Sequence, residues 1–582
     1  MDHENQLGPA SLGDALNPFN LPPGYGAGVS GALAYAAALS AFVARYQFLL
    51  DAHPNDWLIE EPLARLPVGW LEEYAVLGEP TDLLCSAGGD DDASTTDVDG
   101  ESTLIEWFAQ ARRLQMPRQP PPPPSDGTRP LAFPLALRIF TGAKKCHEVE
   151  LMTRAVLAAA TAAGGGGGDP CRRVMELGAG VGRLSSVLAM EHGLAVVGVD
   201  CSEAFTIKAE RRKQWLVAHR KKKKRLRRRR VRVGEEESAA AAAAAEEEEE
   251  EEACWAGVAA SCCARICEEM NAADLAALWS TATDATSDEG GGTLLVGMHT
   301  CGELAPTMLK LFANALESSL LDDEAAAAAA AAVAEGRCAP CAATNSINGI
   351  VNVGCCYNLL GKPPAPWSSR RSSTSATENW PVRDFPLSAA LRADDDDACA
   401  APPLVLTRWL CSAAAQSTNP AFVKIARAHK GGALHRPRRL ARALLQRRLV
   451  HHHPELLDAA KMTKLKTSKF DPFQKEEEEE DRSSFAAFIH SALTSLGVPP
   501  NAPELATEAE LESEWKKAWA DHGASLKLFH CMREAIAPMI EALLLLDRAL
   551  FLTELPQKPT VRLFPLFDPA ISPRNLCLTA FV

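Results

Sequence analysis

Three glycines at alternate positions, Gly178, Gly180 and Gly182, separate an apolar run, Arg172 to Glu176, from a helix-patterned stretch, Gly182 to His192. Glycines at this spacing let the backbone turn sharply and approach a ligand closely, and the helix that follows offers free N–H groups and a partial positive charge. A second buried run, Ala195 to Asp200, comes next. Strand, glycine turn, helix and strand make a βαβ unit, which implies a parallel sheet. The dinucleotide fingerprint needs its third glycine three positions beyond the second, where this chain has Arg183, so a nicotinamide site is a poor match. Asp200 stands 18 positions after Gly182, where a carboxylate can accept both hydroxyls of an adenosyl ribose. Glu176 is a second acceptor, suited to a ligand amino group. An acid, a Gly-x-Gly-x-Gly turn and a second acid after the next strand form the pattern expected for S-adenosylmethionine. The plainer reading is a glycine turn in a doubly wound fold without a cofactor.

The rest of the chain extends this pattern. Lys144 to Ala163 reads as a helix, Thr293 to His299 and Gly349 to Tyr357 as buried strands, and Leu304 to Leu316 as the helix between them. Leu526 to Glu554 reads as one long amphipathic helix, followed by Val561 to Phe567, the turn segment Asp568 to Asn575, and Leu576 to Val582 as a closing hairpin. Residues 27–52 and 102–114 read as helices of a small N-terminal unit spanning 1–118, joined by a proline-rich linker at 119–129 to a domain over 130–582. Low-complexity insertions are expected near 220–252, 322–340, 362–402 and 430–482. They lower the domain count that 582 residues would suggest to one or two folded units.

With 47% apolar residues, the remainder can fold. A net charge of −15 argues against nucleic-acid binding by bulk charge, so any such binding must come from local patches. The strongest is residues 220–232, with eleven basic side chains, followed over 235–252 by ten Glu around seven Ala. Nuclear import, phosphate-backbone binding and a solvated, self-neutralising helix or hairpin are its readings. Gly28 to Val43 is apolar but rich in Ala and Gly and is followed by Arg45, so a core helix is expected rather than a span. No leader is read at the N-terminus, and the 17 cysteines are expected to be reduced, placing the protein in the cytosol or nucleus.

Further motifs converge on one family. They are Lys144-Lys145-Cys146-His147-Glu148, Val296-Gly297-Met298-His299-Thr300-Cys301-Gly302-Glu303-Leu304-Ala305, Val353-Gly354-Cys355-Cys356-Tyr357-Asn358, Pro565-Leu566-Phe567-Asp568-Pro569 and Ser572-Pro573-Arg574-Asn575. With the glycine motif they resemble the methyltransferase-like protein 25 family, whose members are also labelled ribosomal RNA adenine dimethylase domain-containing proteins. The resemblance covers most of residues 50–582 outside the insertions. It implies an α/β, class I S-adenosylmethionine-dependent methyltransferase: a Rossmann-like doubly wound sheet of seven strands with an antiparallel last strand, carrying a helical N-terminal unit. RNA is the implied substrate. Amine-methylating adenine enzymes carry an Asn-Pro-Pro-Tyr-like turn after the fourth strand, where this chain has His299-Thr300-Cys301-Gly302. That turn and the later Cys-Cys-Tyr are more similar to those of a transfer RNA ribose methyltransferase family, so RNA 2′-hydroxyl methylation is the alternative.

Glu176, Gly178, Gly180, Gly182 and Asp200 are thus the candidate cofactor residues, with Asp274, in Asn271-Ala272-Ala273-Asp274, as an acceptor for the adenine amine after the third strand. His299, at a strand's C-terminal edge, can be a general base or a strand-end histidine bonded to backbone. Cys301, Cys355, Cys356 and Tyr357 are candidates to line the acceptor pocket, or the thiols are packing. Cys338, Cys341, Cys355 and Cys356 offer four thiols for zinc, but the second pair is adjacent and at a strand end, and no metal is assigned. The histidines at 451–453 read as solvated. A non-catalytic adaptor that meets protein partners through its N-terminal unit is the reading from another function class.

Overall fold

The computed structural model describes residues 17–77, 103–119, 141–164, 170–233, 259–267, 270–283, 292–318, 347–360, 381–382, 385–392, 404–407, 410–411, 414, 435–457, 484–499 and 506–582. Its strands are β1 (Arg173–Leu177), β2 (Ala195–Asp200), β3 (Ala259–Cys263), β4 (Thr293–Cys301), β5 (Ile347–Cys355), β6 (Thr560–Pro565) and β7 (Leu576–Phe581). They form one sheet in the order β3-β2-β1-β4-β5-β7-β6. β1 to β5 run parallel, and β7 lies antiparallel between β5 and β6. This is the class I methyltransferase fold, with the expected closing hairpin as its last two strands.

The helices are α1 (Gly28–Asp51), α2 (Trp57–Glu60), α3 (Trp70–Leu77), α4 (Leu104–Arg113), α5 (Ala143–Ala162), α6 (Arg183–His192), α7 (Glu203–Val233), α8 (Ala272–Thr283), α9 (304–318), α10 (His435–His452), α11 (Phe485–Ser495) and α12 (Glu508–Thr553). The inner strands are buried on both faces, which is why they read as continuous apolar runs rather than alternating ones. On one face, Val149, Met152 and Val156 of α5 and Leu188 of α6 pack on Val174, Val196, Val296 and Val351. On the other, Met175, Val197, Leu295 and Ile350 join α9, α12 and the N-terminal helices in one continuous core.

The N-terminal helices share that core. Tyr35, Leu39, Val43 and Leu50 of α1 are buried, and the Arg533 guanidinium of α12 donates to the carbonyls of Leu49 and Ala52 at the end of α1. By length and composition α1 could cross a membrane; its buried side chains face α12 instead. The Leu563 N–H of edge strand β6 donates to the Pro18 carbonyl at 2.7 Å, and the Tyr35 hydroxyl donates to Leu114 O at 2.7 Å.

Three segments differ from the sequence reading. α12 starts at Glu508, not near Leu526, because Thr507 and Glu510 form a capping box and Leu511, Trp515 and Ala518 are buried within a charged stretch that hides the pattern. Residues 435–452, expected to be insertion, form α10: Leu440, Ala441, Leu444, Leu445 and Leu449 recur at helical spacing beneath arginines and are fully buried. Residues 385–392, also expected to be insertion, are held by backbone N–H groups of Leu387 and Ser388 on Asp547 and of Ala389 and Ala390 on Glu554. Residues 88–100, 120–124, 234–252 and the Cys338–Cys341 pair lie outside the described residues.

Candidate functional site

At the C-terminal edge of β1, Gly178, Gly180 and Gly182 all have positive φ (+76°, +58° and +65°), so this turn strains any side chain. They differ in what surrounds them. A Cβ on Gly178 would meet Leu304 at 3.0 Å and one on Gly182 would meet Ala209 at 3.2 Å, whereas at Gly180 nothing lies within 4 Å. Gly178 and Gly182 therefore permit packing, and Gly180 borders open space. Asp200, at the end of β2, closes that space: its Oδ2 accepts from Gly180 N at 2.9 Å and its Oδ1 from Ser202 N at 2.8 Å. These bonds fix the carboxylate's orientation and leave lone pairs on both oxygens for a ribose diol.

Glu176 is 2% exposed and is committed differently from expectation. Its Oε2 accepts the Ser185 N–H at 3.0 Å and the Ser185 hydroxyl, so it ties β1 to the first turn of α6. Burial pushes its carboxyl up to about 7 against those two bonds. Asp274 also departs from expectation. It lies in the first turn of α8, exposed and 11 residues beyond the end of β3, where its Oδ2 accepts from Asn271 N at 2.9 Å while its own N–H donates to Asn271 Oδ1 at 3.1 Å. A side chain that caps its own helix in this way is not placed at a strand end to receive an adenine.

The edge of β4 next to β1 carries the second half of the site. His299 has φ +64° and is the extra residue of a bulge: Met298 pairs with Val353 and Thr300 with Gly354, leaving His299 without an opposite residue. The bulge re-aims the imidazole at α5, where Nε2 lies 2.9 Å from Glu148 Oε2. Glu148 is fully buried; Lys145 Nζ is 2.6 Å from its Oε2 and the Ser572 hydroxyl donates to its Oε1 at 2.7 Å. Burial raises this carboxyl, but His299 and Lys145 outweigh it and hold Glu148 well below the usual carboxylate range. It is an anion that fixes one ring nitrogen of His299 and leaves Nδ1 for another partner.

Cys301, Cys355 and Cys356 come together beside this histidine, with Sγ separations of 3.4, 3.5 and 3.6 Å. Tyr357 does not join them. It is 1% exposed and its hydroxyl donates to Glu541 Oε1 of α12 at 3.1 Å, so it is walled off from any acceptor. Glu541 is a hub that sequence reasoning missed: Arg118 Nη2 lies 2.7 Å and Arg574 Nη1 3.1 Å from its Oε2, and the two arginines overcome burial to keep it ionised. Glu148 was missed as a site residue as well, although it stood in the quoted Lys144–Glu148 motif. In the fold that motif meets the C-terminal one: Asp568 N donates to His147 Nε2 at 3.0 Å, and Ser572 bonds Glu148. Proximity in space was the missing information, because these partners are more than 400 positions apart.

Residues 144–321 match the family model described as a methyltransferase domain. The match spans α5, the glycine turn and β1 to β4, so it takes in Gly178, Gly180, Gly182, Asp200 and His299. The chain is 24% identical over 287 residues to the mouse protein named probable methyltransferase-like protein 25, and 26% identical over 288 residues to its human counterpart. Each match covers 49% of this chain, and the chain spans little more than a third of the length of these relatives, 37% and 36%. No solved structure matches it significantly. The resemblance drawn from the motifs is thus met by homologues of the same name, and the chain carries a methyltransferase domain.

Proposed function

We propose that this methyltransferase domain binds S-adenosylmethionine over Gly178, Gly180 and Asp200 and methylates a ribose 2′-hydroxyl of RNA, with His299 as general base. The donor group fits the residues present: a turn with open space at Gly180 and an oriented carboxylate suited to a ribose. Bound there, it supplies a sulfonium methyl that needs little activation. The chain's own task is to align the acceptor and, for a hydroxyl, to remove its proton.

The observation that carries the choice of a hydroxyl is the His299–Glu148 pair at 2.9 Å. A carboxylate only accepts, so the His299 proton sits on Nε2 and Nδ1 is left as the base. When Nδ1 takes the acceptor's proton, the buried Glu148 anion stabilises the imidazolium that forms. An amine acceptor would need no such base, and the Asn-Pro-Pro-Tyr-like turn that orients an exocyclic amine is replaced by His299-Thr300-Cys301-Gly302. Support for RNA comes from α7, which leaves the end of β2 beside Asp200 and carries the basic run 220–232.

Calorimetry with the donor and its demethylated product, on the chain and on Asp200→Ala and His299→Ala, tests the proposal. Asp200→Ala should weaken the donor by about tenfold or more, the loss of charged hydrogen bonds. His299→Ala should bind normally and lose about 10²–10⁴ in turnover, measured as alkali-resistant methyl label in RNA. Label in the base with unchanged turnover would remove His299 from the mechanism. No donor binding by folded protein would favour the adaptor.

A further inference from the structure

We infer that Cys301, Cys355 and Cys356 form a binding site for one soft divalent cation of the zinc class, with three thiolate ligands and a fourth position open to solvent. Three features of the backbone bring these sulfurs together. Cys301 ends β4 and Cys355 ends β5, and the two are directly paired across the parallel ladder. That pairing depends on the His299 bulge, which shifts the register between Met298 and Thr300. Cys355 and Cys356 are adjacent, and in a continuing strand they would point to opposite faces. Cys356 instead has φ +52°, in the left-handed region, and its sulfur comes back to 3.6 Å from that of Cys355. Two non-glycine residues in the left-handed region, His299 and Cys356, are thus spent on one cluster.

The dimensions suit a tetrahedral ion. Zinc–sulfur bonds of about 2.3 Å place thiolates about 3.8 Å apart, and the observed triangle of 3.4, 3.5 and 3.6 Å needs to open by only a few tenths of an ångström. The three sulfurs are the one group of metal-capable side chains that meets this closeness among the described residues. Sulfur donors select soft ions over magnesium or calcium. Cys355 is buried, Cys356 half-buried and Cys301 exposed, so the triangle presents one side to solvent, the arrangement of a site that keeps a coordination position free. Cys356 receives hydrogen bonds from both of the other thiols, so the three sulfurs already face one common point.

This inference is independent of the methyl-transfer reading, and its test reads metal, not turnover. The full chain, purified under reductant and loaded with one equivalent of zinc, should retain one ion per chain through desalting, by elemental analysis. Cobalt(II) in place of zinc should give intense thiolate-to-metal charge-transfer absorption in the wild-type chain, a readout that needs no variant to fold. Cys301→Ser with Cys356→Ser should lose the ion or weaken it at least about tenfold, while Cys338→Ser with Cys341→Ser should retain it. No retained ion and no charge-transfer band in the wild type would overturn the inference. So would an ion that survives the first pair of substitutions or is lost with the second.

Discussion

Individual side chains at this site are held in tension between burial and charge. Glu148 and Glu541 are both fully or nearly fully buried and both stay ionised, because each lies beside two cations, Lys144 and Lys145 for Glu148 and Arg118 and Arg574 for Glu541. Glu176 is equally buried, and burial, with the Asp200 charge added to it, outweighs Ser185 and Lys145 and pushes it up to about 7. The consequence can be worked out by linkage. Its ordinary carboxyl value is about 4.3, so between there and about 7 the folded state holds a proton that the unfolded state has released. That contribution to stability is fully present below about pH 4.3 and is lost as pH rises through 7. Glu176→Gln should therefore flatten the dependence of unfolding free energy on pH between about 5 and 7.5, measured by urea titration. An unchanged slope would show that Ser185's two hydrogen bonds hold the carboxylate ionised after all.

At the scale of elements, the parallel strands and the glycine turn were legible because each writes a local signature: continuous apolar runs, punctuated by glycine, with an acid at the strand end. The boundaries of β1, β2 and the closing hairpin fall within two residues of the reading. α10 was not legible, because its buried leucines are interleaved with arginines in a stretch that looks solvated. The first half of α12 was hidden in the same way. Neither the His299–Glu148 pair nor the Glu541 hub could be read, since both join segments whose adjacency only the sheet order creates. β7 illustrates how much depends on that order. It pairs with β5 on one side and β6 on the other, and its residues are buried throughout. A chain ending at Glu554 lacks both strands and exposes the β5 edge and the apolar faces of α5 and α12. It should lose cooperative unfolding and become sensitive to limited proteolysis at low protease. Full resistance would mean that the five parallel strands fold without their antiparallel partner.

Across the whole molecule, the charge distribution separates fold from binding. The net charge of −15 repels nucleic acid at long range, while eleven basic residues over 220–232 sit on the helix that leaves β2 beside Asp200. If this helix carries RNA, deleting residues 220–252 should lower RNA affinity by an order of magnitude or more at low salt and reduce the steepness of its salt dependence. Donor affinity should be unaffected, since Asp200 and the glycine turn precede the deletion. RNA affinity that survives with the same salt slope would place the main contact elsewhere. The position of β7 carries a different consequence, one of timing. About 220 residues separate the end of β5 from the start of the strand that pairs with it. At a synthesis rate of about 5–20 residues per second, the nascent β5 edge waits roughly ten to forty seconds for its neighbour. During that interval β5 is paired with β4 on one side only, and its other edge, with the row of N–H and C=O groups that β7 will take, stays open.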